Sequence, residues 1–167
     1  MTEQLVMWFQ SLFPSDTSRE LVAFLTSLLP VLECRGGMIV ALAAGVSFVK
    51  AFAICYIGNM IPIPFILLFI KKIFAFMKKH NILTSIVEKL EGKTTKHKEK
   101  IEKYGPWALL SFVAIPLPGT GGWTGALIAA LFNLDIKKSL PVIAVGVLIA
   151  NLIMSVITYG TSAVFGF

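Results

Sequence analysis

The chain has 167 residues, of which 56% are hydrophobic and only 14% are charged, and its mean hydropathy is +0.82. A soluble domain usually has about a quarter of its residues charged, so this composition excludes an ordinary soluble protein and favours one that crosses a membrane several times. The net charge is +6. The two cysteines and two histidines supply neither a disulfide framework nor a set of metal ligands.

The first 20 residues mix apolar and polar side chains, and Pro14 ends their apolar run. This run is too short to cross a bilayer, and Trp8 suits the depth of the lipid head groups. We therefore predict an interfacial N-terminal segment over residues 1–20, with a partly disordered tail as the alternative.

Two later hydrophobic stretches are each interrupted by a short break that is rich in proline and glycine. The first break, residues 30–37, reads P-V-L-E-C-R-G-G, and the second, residues 115–122, reads I-P-L-P-G-T-G-G. Proline removes a backbone donor and clashes with the preceding helical turn. The apolar arms beside the breaks hold nine to twelve residues. As helix they reach about 14–18 Å, against a hydrocarbon core of roughly 30 Å. We therefore predict re-entrant hairpins over residues 21–49 and 104–134.

Two further stretches, residues 51–70 and 140–159, are twenty residues long and carry no charged side chain. Each is long enough to cross a bilayer as a helix. Pro62 and Pro64 should kink the first crossing, which a membrane helix tolerates where its neighbours satisfy the freed carbonyl groups.

Residues 71–103 differ sharply from the rest, since they contain ten lysines and four glutamates. Apolar residues recur at helical spacing in the first half of this segment, which predicts a basic amphipathic linker on the membrane surface. Positive charge accumulates in cytoplasmic loops, so we place the linker in the cytoplasm and both termini outside. Specific binding of anionic lipids is a further use of the charge, and we expect no nucleic-acid partner.

The two halves of the chain repeat one order of parts: short arm, break, second arm, exit and full crossing. An offset of 85 residues places the pair Gly36-Gly37 on the pair Gly121-Gly122. Because one crossing separates the hairpins, they should enter the membrane from opposite faces. Inverted repeats of this kind are common in secondary transporters, whose substrate sites form where broken helices meet.

The predicted fold is therefore an all-α polytopic membrane protein, an inverted repeat of a re-entrant helical hairpin plus a transmembrane helix. Repeat 1 covers residues 21–70 and repeat 2 covers residues 104–160.

Glu33 and Arg35 are the ionisable side chains inside the first break. A charged group near the bilayer centre is costly, so it should face a cavity or a partner. Arg35 suits an anionic group, especially a phosphate, because its planar guanidinium presents a fork of donors. Glu33 could carry a proton. In the alternative interpretation, the two side chains only cap helix ends or brace the hairpin tips.

Backbone N–H groups at the start of each second arm attract anions as well. In the alternative interpretation, the threonines of the site satisfy freed carbonyl groups and the asparagines make helix–helix hydrogen bonds. Besides Glu33 and Arg35, the predicted substrate and coupling-ion site contains Gly36, Gly37, Pro116, Pro118, Gly119, Thr120, Gly121, Gly122, Thr124, Asn59 and Asn151.

The sequence contains no nucleophile–base set, no metal-ligand constellation and no phosphate-binding P-loop. We therefore expect no enzyme, no cofactor and no metal.

The motifs L-P-V-L-E-C-R-G-G and I-P-L-P-G-T-G-G-W-T-G-A-L-I-A resemble those of the small multi-drug export protein family, and the resemblance extends over residues 21–160. That family is distantly similar to the DedA superfamily, which implies two re-entrant hairpins in inverted repeats. Some DedA proteins move undecaprenyl phosphate across the bacterial membrane.

The DedA acidic motif, E-x-x-x-P-x-P-G-E, is matched in part. Pro116, Pro118 and Gly119 agree with it, whereas Phe112 and Thr120 stand where its two acids would be. The arginine motif is present only in the first repeat. The resemblance therefore implies the architecture more directly than the substrate.

These features predict a small secondary transporter that forms a homodimer in the plasma membrane of a bacterium or archaeon. Surrounded by membrane lipids, it would move an amphiphile with an anionic head, such as a polyprenyl or phospholipid phosphate. Arg35 would bind the head group and Glu33 would couple protons. Two other functions stay open: proton-coupled export of cationic drugs at Glu33, which the adjacent Arg35 disfavours, and a non-transporting scaffold that recruits partners through residues 71–103.

Single-cysteine labelling tests the two hairpins. Cysteines are placed along residues 21–49 and 104–134 of a variant that lacks both native cysteines, and a membrane-impermeant maleimide is added from one side. We expect both ends of each stretch to react from the same side, and the two stretches to react from opposite sides. A stretch that emerges on the far side as one continuous helix would contradict the mirrored architecture.

Overall fold

The computed structural model describes residues 11, 15–79, 105–117, 119–132 and 134–165. Within these ranges the chain is all-helical and has no β-strand. The helices are α1 (Asp16–Leu28), α2 (Glu33–Ala43), α3 (Phe48–Met60), α4 (Pro62–Lys79), α5 (Gly105–Ala114), α6 (Gly122–Leu131) and α7 (Ile136–Phe165). Nearly all of the predicted interfacial segment before residue 15, and the basic linker from residue 80 onward, lie outside the described residues.

Two helical stretches are long and apolar enough to cross a membrane, Phe48–Ile70 and Ile136–Thr161. The first consists of α3 and the start of α4, which a turn at Ile61 separates just before Pro62. The two apolar stretches agree with the crossings predicted over residues 51–70 and 140–159, and each stretch begins three or four residues earlier than predicted.

The other helices are too short to cross, because α1 has 13 residues, α2 has 11 and α6 has 10. At 1.5 Å per residue they reach only about 15–20 Å. Helix α1 ends before Pro30 because a residue that precedes proline is pushed out of the helical region. Accordingly, Leu29 has an extended backbone with ψ of 138°.

Similar turns end α2 and α6 and lead the chain into the next long helix. After α2, Gly45 has a φ of 75°, and the N–H of Val46 donates to the carbonyl of Ala41 over 2.9 Å. This is a Schellman motif. After α6, the N–H of Leu134 donates to the carbonyl of Ala129, also over 2.9 Å. The two short helices therefore end in the same way.

Buried positions in the two halves correspond at an offset of 88 residues. In α2 the matching buried residues are Cys34, Gly37, Met38 and Ala41, and in α6 they are Gly122, Gly125, Ala126 and Ala129. In the long helices, buried residues 51, 55, 58, 59, 63 and 67 match buried residues 139, 143, 146, 147, 151 and 155. The predicted offset of 85 is therefore wrong, because the first Gly-Gly pair lies inside α2 whereas the second lies at the start of α6.

Small residues fill the interior of the helix bundle, and large apolar side chains cover much of its outside. The buried small residues include Ala23, Ala41, Ala44, Ala51, Ala126, Ala129 and Ala130. The exposed fractions of Val31, Phe65, Trp107 and Val156 range from 60% to 88%. A soluble protein rarely exposes extensive apolar surface, whereas membrane helices use small residues to approach closely. The packing is therefore that of a protein surrounded by lipid.

Two glycines at equivalent positions of the long helices are expected to be essential for packing. A Cβ at Gly58 would lie 2.9 Å from the carbonyl of Phe24 in α1, and a Cβ at Gly146 would lie 2.8 Å from Val113 in α5. We expect Gly58→Ala and Gly146→Ala each to lower the free energy of unfolding by about 1–3 kcal/mol through overpacking. Thermal unfolding in detergent micelles measures the change.

Gly160→Ala is the matched control, because its added Cβ would meet its nearest neighbour at 4.0 Å. This variant should be as stable as the wild type, or more stable by up to about 1 kcal/mol through helix propensity. Equal melting temperatures for all three variants would contradict the packing described here.

Candidate functional site

The break that follows α1 and the break that follows α5 lie against each other. Arg35, in the first turn of α2, contacts Thr120, just before α6, although 85 residues separate them. The first break supplies the charged side chains of this contact, and the second supplies mostly backbone groups.

The carboxylate of Glu33 caps the N-terminus of α6. Its Oε2 accepts a hydrogen bond from the N–H of Gly122 over 3.2 Å, and its Oε1 accepts one from the N–H of Trp123 over 3.1 Å. Helix α6 has no side-chain cap of its own, because Gly121 occupies the N-cap position. The carboxylate satisfies N–H groups that a helix start leaves free, and its negative charge lies at the positive end of the helix dipole.

Gly121 makes the close approach of Glu33 possible. A Cβ at this position would lie 2.7 Å from the carboxyl carbon of Glu33 and 2.7 Å from Nη1 of Arg35. The φ of Gly121 is 131°, a value that side-chain-bearing residues rarely adopt. Both space and backbone conformation therefore require glycine here.

The guanidinium of Arg35 binds the chain that follows α5. Nη1 donates to the carbonyl of Thr120, while Nη2 donates to Oγ1 of Thr120 over 3.0 Å and to the carbonyl of Ile115 over 3.2 Å. Ile115 directly follows the last residue of α5, and a cation at a helix C-terminus is stabilised by the helix dipole. Arg35 also lies 3.5 Å from Glu33. Each member of this ion pair therefore stabilises one helix end of the second break.

The hydroxyl of Thr120 holds the second break in shape. It lies 2.7 Å from the carbonyl of Ile115 and 2.8 Å from the carbonyl of Leu117, and it accepts a bond from the N–H of Leu117 over 3.2 Å. It also accepts the bond from Arg35 described above. One side chain thus ties the loop to itself and to the first break.

Glu33 is buried and strained. Only 2% of its surface is exposed, and its φ of 49° is the one positive value found for a non-glycine residue in the described ranges. A left-handed conformation costs about 1–3 kcal/mol and persists only where the surroundings impose it. The carboxylate is therefore held in place by its partners in α6 and by Arg35, against the preference of its own backbone.

Several buried polar groups around Glu33 have no hydrogen-bond partner among the described residues. They are Nε of Arg35, both amide atoms of Asn59 and Nε1 of Trp123. Asn59 is fully buried and lies beside Glu33 and Cys34. A Cβ built on Gly122 would lie 3.4 Å from its Oδ1. Buried polar groups are nearly always paired, so the site has unused hydrogen-bonding capacity.

The structure thus brings together six of the residues predicted from the sequence: Glu33, Arg35, Asn59, Thr120, Gly121 and Gly122. The second glycine pair is needed at the site, whereas the first is used in packing. A Cβ at Gly36 would lie 2.7 Å from Cβ of Leu32, and one at Gly37 would lie 2.9 Å from Sγ of Cys55.

The side chains of the remaining predicted residues make no hydrogen bond to Glu33 or Arg35 within the described part of the chain. The amide nitrogen of Asn151 donates to the carbonyl of Phe52 over 2.9 Å, which is the helix–helix bond of the alternative interpretation. Pro116 and Thr124 are half-buried, and Gly119 is exposed with a φ of 84°. Pro118 lies outside the described residues.

The prediction missed two backbone contributions, the N–H of Trp123 and the carbonyl of Ile115. Neither depends on the identity of its own side chain. A sequence signal did exist for the first, since a glycine followed by helix-forming residues marks a helix start whose N–H groups are free.

The family of this chain follows from comparison with protein-family models. The model described as "Putative small multi-drug export protein" matches residues 33–153, well over half of the chain. The chain belongs to this family. The matched range begins at Glu33 and includes the second break, so all the contacts described above lie in the part that the family shares. No curated protein and no solved structure matches the chain. The description of this export family and the two apolar spans both agree with a membrane protein.

Thr120→Val tests the bracing of the second break in this member of the family. Valine keeps the volume of threonine but removes the hydroxyl that bonds Nη2 of Arg35 and the carbonyls of Ile115 and Leu117, which should lower the free energy of unfolding by about 1–3 kcal/mol. Thr124→Val is the matched control, because the described residues show no hydrogen bond from its side chain, and it should change stability by less than about 0.5 kcal/mol. Equal effects in denaturation experiments would contradict the role of Thr120.

Proposed function

We propose that this protein is a secondary transporter that moves an amphiphile with an anionic, phosphate-bearing head group past the two breaks. The contact of Glu33 and Arg35 with the second break is the observation that carries the proposal. It combines at one buried point a guanidinium, a carboxylate and the helix-start N–H groups that the carboxylate caps. Anion recognition and proton coupling require groups of these kinds.

Two re-entrant hairpins make this point a mid-membrane site. The pairs α1–α2 and α5–α6 consist of helices that each reach about half of a bilayer, and the breaks between their arms meet. If each pair enters and leaves by one face, the breaks meet near the middle of the bilayer. Irregular backbone at that depth is tolerated where it is buried in protein or lines a cavity.

An inverted arrangement of the two halves is supported by the burial pattern and by one hydrogen bond. The hydroxyl of Tyr56 lies 3.4 Å from the carbonyl of Ala144, and these residues are 88 apart, which is the offset that relates the buried positions. A two-fold axis between two repeats brings equivalent residues together in this way. One crossing separates the hairpins, so they enter from opposite faces, as the resemblance to the DedA superfamily also implies.

In the proposed mechanism Arg35 binds the phosphate, and the N–H groups of Gly122 and Trp123 donate to its oxygens. Planar guanidinium groups favour phosphate oxygens because they present paired donors. Glu33 carries the coupling proton, because a carboxyl group at this position can be neutral or charged as the site empties and fills.

The proposed setting is the plasma membrane of a bacterium or archaeon, with residues 71–103 on the cytoplasmic side because of their positive charge. The transporter acts as a homodimer, since one chain contributes only two full crossings and two hairpins to enclose a pathway.

Proton-coupled export of cationic drugs is the second candidate, and the description of the family favours it. In that case Glu33 would bind the drug. The carboxylate, however, already accepts bonds from two N–H groups and lies 3.5 Å from Arg35. A cationic drug would therefore enter a site whose other groups are positive, which favours the anionic substrate.

Transport by proteoliposomes tests the choice. We expect uptake of a fluorescent polyprenyl phosphate by the wild type, a loss of at least about tenfold in Arg35→Ala, and a smaller loss in Arg35→Lys, which keeps the charge but not the fork of donors. Wild-type rates in both variants would contradict the role of Arg35. A second arm measures ethidium transport: proton-driven ethidium export that Glu33→Gln abolishes, with no phosphate uptake, would favour the drug exporter.

A further inference from the structure

The position at the start of α6 where an anion would bind is already filled by part of the chain. The two carboxylate oxygens of Glu33 take the N–H groups of Gly122 and Trp123, and Arg35 lies beside them. A carboxylate and a phosphate use the same kinds of donors. Both cannot occupy this position at once, because their like charges would repel at short distance.

We propose that the Glu33 carboxylate is an internal substitute for the substrate, and that a phosphate monoester binds by displacing it from the N-terminus of α6. This inference rests on the proposed function and adds that Glu33 occupies the same site when no substrate is bound. Displacing Glu33 also breaks its two bonds to the start of α6, so binding of the anion loosens the contact between the two breaks.

The hydrogen-bonding capacity of the site exceeds what a carboxylate can use. Nε of Arg35 and the amide nitrogen of Asn59 are buried donors of the site that have no hydrogen-bond partner among the described residues. Asn59 is fully buried and lies next to Gly122 at the start of α6. A carboxylate has two oxygens, whereas a phosphate monoester has three terminal oxygens that spread over a wider shell. The spare donors therefore suit the larger anion.

The backbone of Glu33 favours its release. Its φ of 49° is held by the bonds that its side chain makes, so loss of those bonds allows the backbone to relax. The tethered carboxylate competes with any free anion at a high effective concentration. The wild-type protein should therefore bind phosphate weakly, and removal of the Glu33 charge should strengthen the binding.

Titration of purified protein with dodecyl phosphate tests this competition. Trp8 and Trp107 are replaced by phenylalanine, so that fluorescence reports on Trp123 at the site. We expect Glu33→Gln to bind dodecyl phosphate at least about tenfold more tightly than its parent, which corresponds to about 1.4 kcal/mol. Adding Arg35→Gln to that variant should abolish the binding.

Glu20→Gln is the matched control, because Glu20 is a carboxylate at the protein surface that pairs with Lys50 over 2.7 Å. Its affinity should equal that of the parent. Inorganic phosphate forms a second arm: tighter binding of both ligands by Glu33→Gln identifies the phosphate group alone as the ligand, and tighter binding of dodecyl phosphate only identifies a lipid head group.

Affinity in Glu33→Gln that is equal to or weaker than that of its parent would overturn the proposal. If this variant fails to fold, Glu33→Asp takes its place, because the shorter carboxylate reaches α6 less well and should give severalfold tighter binding. Tighter binding by Glu33→Gln without transport by vesicles of the wild type would contradict the proposed transporter and support the displacement of Glu33. Transport without tighter binding would support the transporter and contradict the displacement.

Discussion

The structure depends on two charges of the first half that complete the backbone of the second. Glu33 accepts the free N–H groups at the start of α6, and Arg35 takes carbonyl oxygens that follow α5. Inside lipid there is no water to satisfy such groups, and each unsatisfied one costs several kcal/mol. An interruption of helix that is shielded from water therefore needs partners from within the protein. The opposite signs of the two side chains match the opposite ends of the helix dipoles, so one ion pair serves both.

In this arrangement, a structural role of Glu33 and Arg35 is compatible with a functional one. The N–H groups that Glu33 satisfies at the start of α6 are donors of the kind that bind an anion, and a cation placed after a helix end is a cation available to a phosphate. What distinguishes a transport site from a simple brace is reversibility. The left-handed backbone of Glu33 and the unpaired amide of Asn59 show that the present contacts are neither the most relaxed nor the most complete that the site can make.

Much of the fold could be predicted from the sequence, because the crossings follow from length and hydropathy and the breaks follow from Pro30 and the glycines. The choice of Glu33 and Arg35 followed from the rarity of charge in apolar segments. Their exact partners were not predicted. The carbonyl of Ile115 belongs to the backbone and has no signature in the side chains, and the N–H of Trp123 is indicated only as one of the free N–H groups of a helix start. The predicted offset of 85 residues between the two halves differs from the observed 88 for a related reason. The two Gly-Gly pairs look alike in sequence, but Gly36-Gly37 packs within α2, whereas Gly121 is the N-cap of α6 and Gly122 is its first residue.

The charged caps of α5 and α6 come from the earlier half of the chain, and this has a consequence for biogenesis. Glu33 and Arg35 leave the ribosome long before Gly121 does, so a nascent chain carries both charges while α6 does not yet exist. During that interval the two side chains can neutralise only each other or remain near the aqueous surface. The contact that completes both helix ends can therefore form only after the second break has been made, which makes folding of the two halves a coupled, late event rather than a stepwise one.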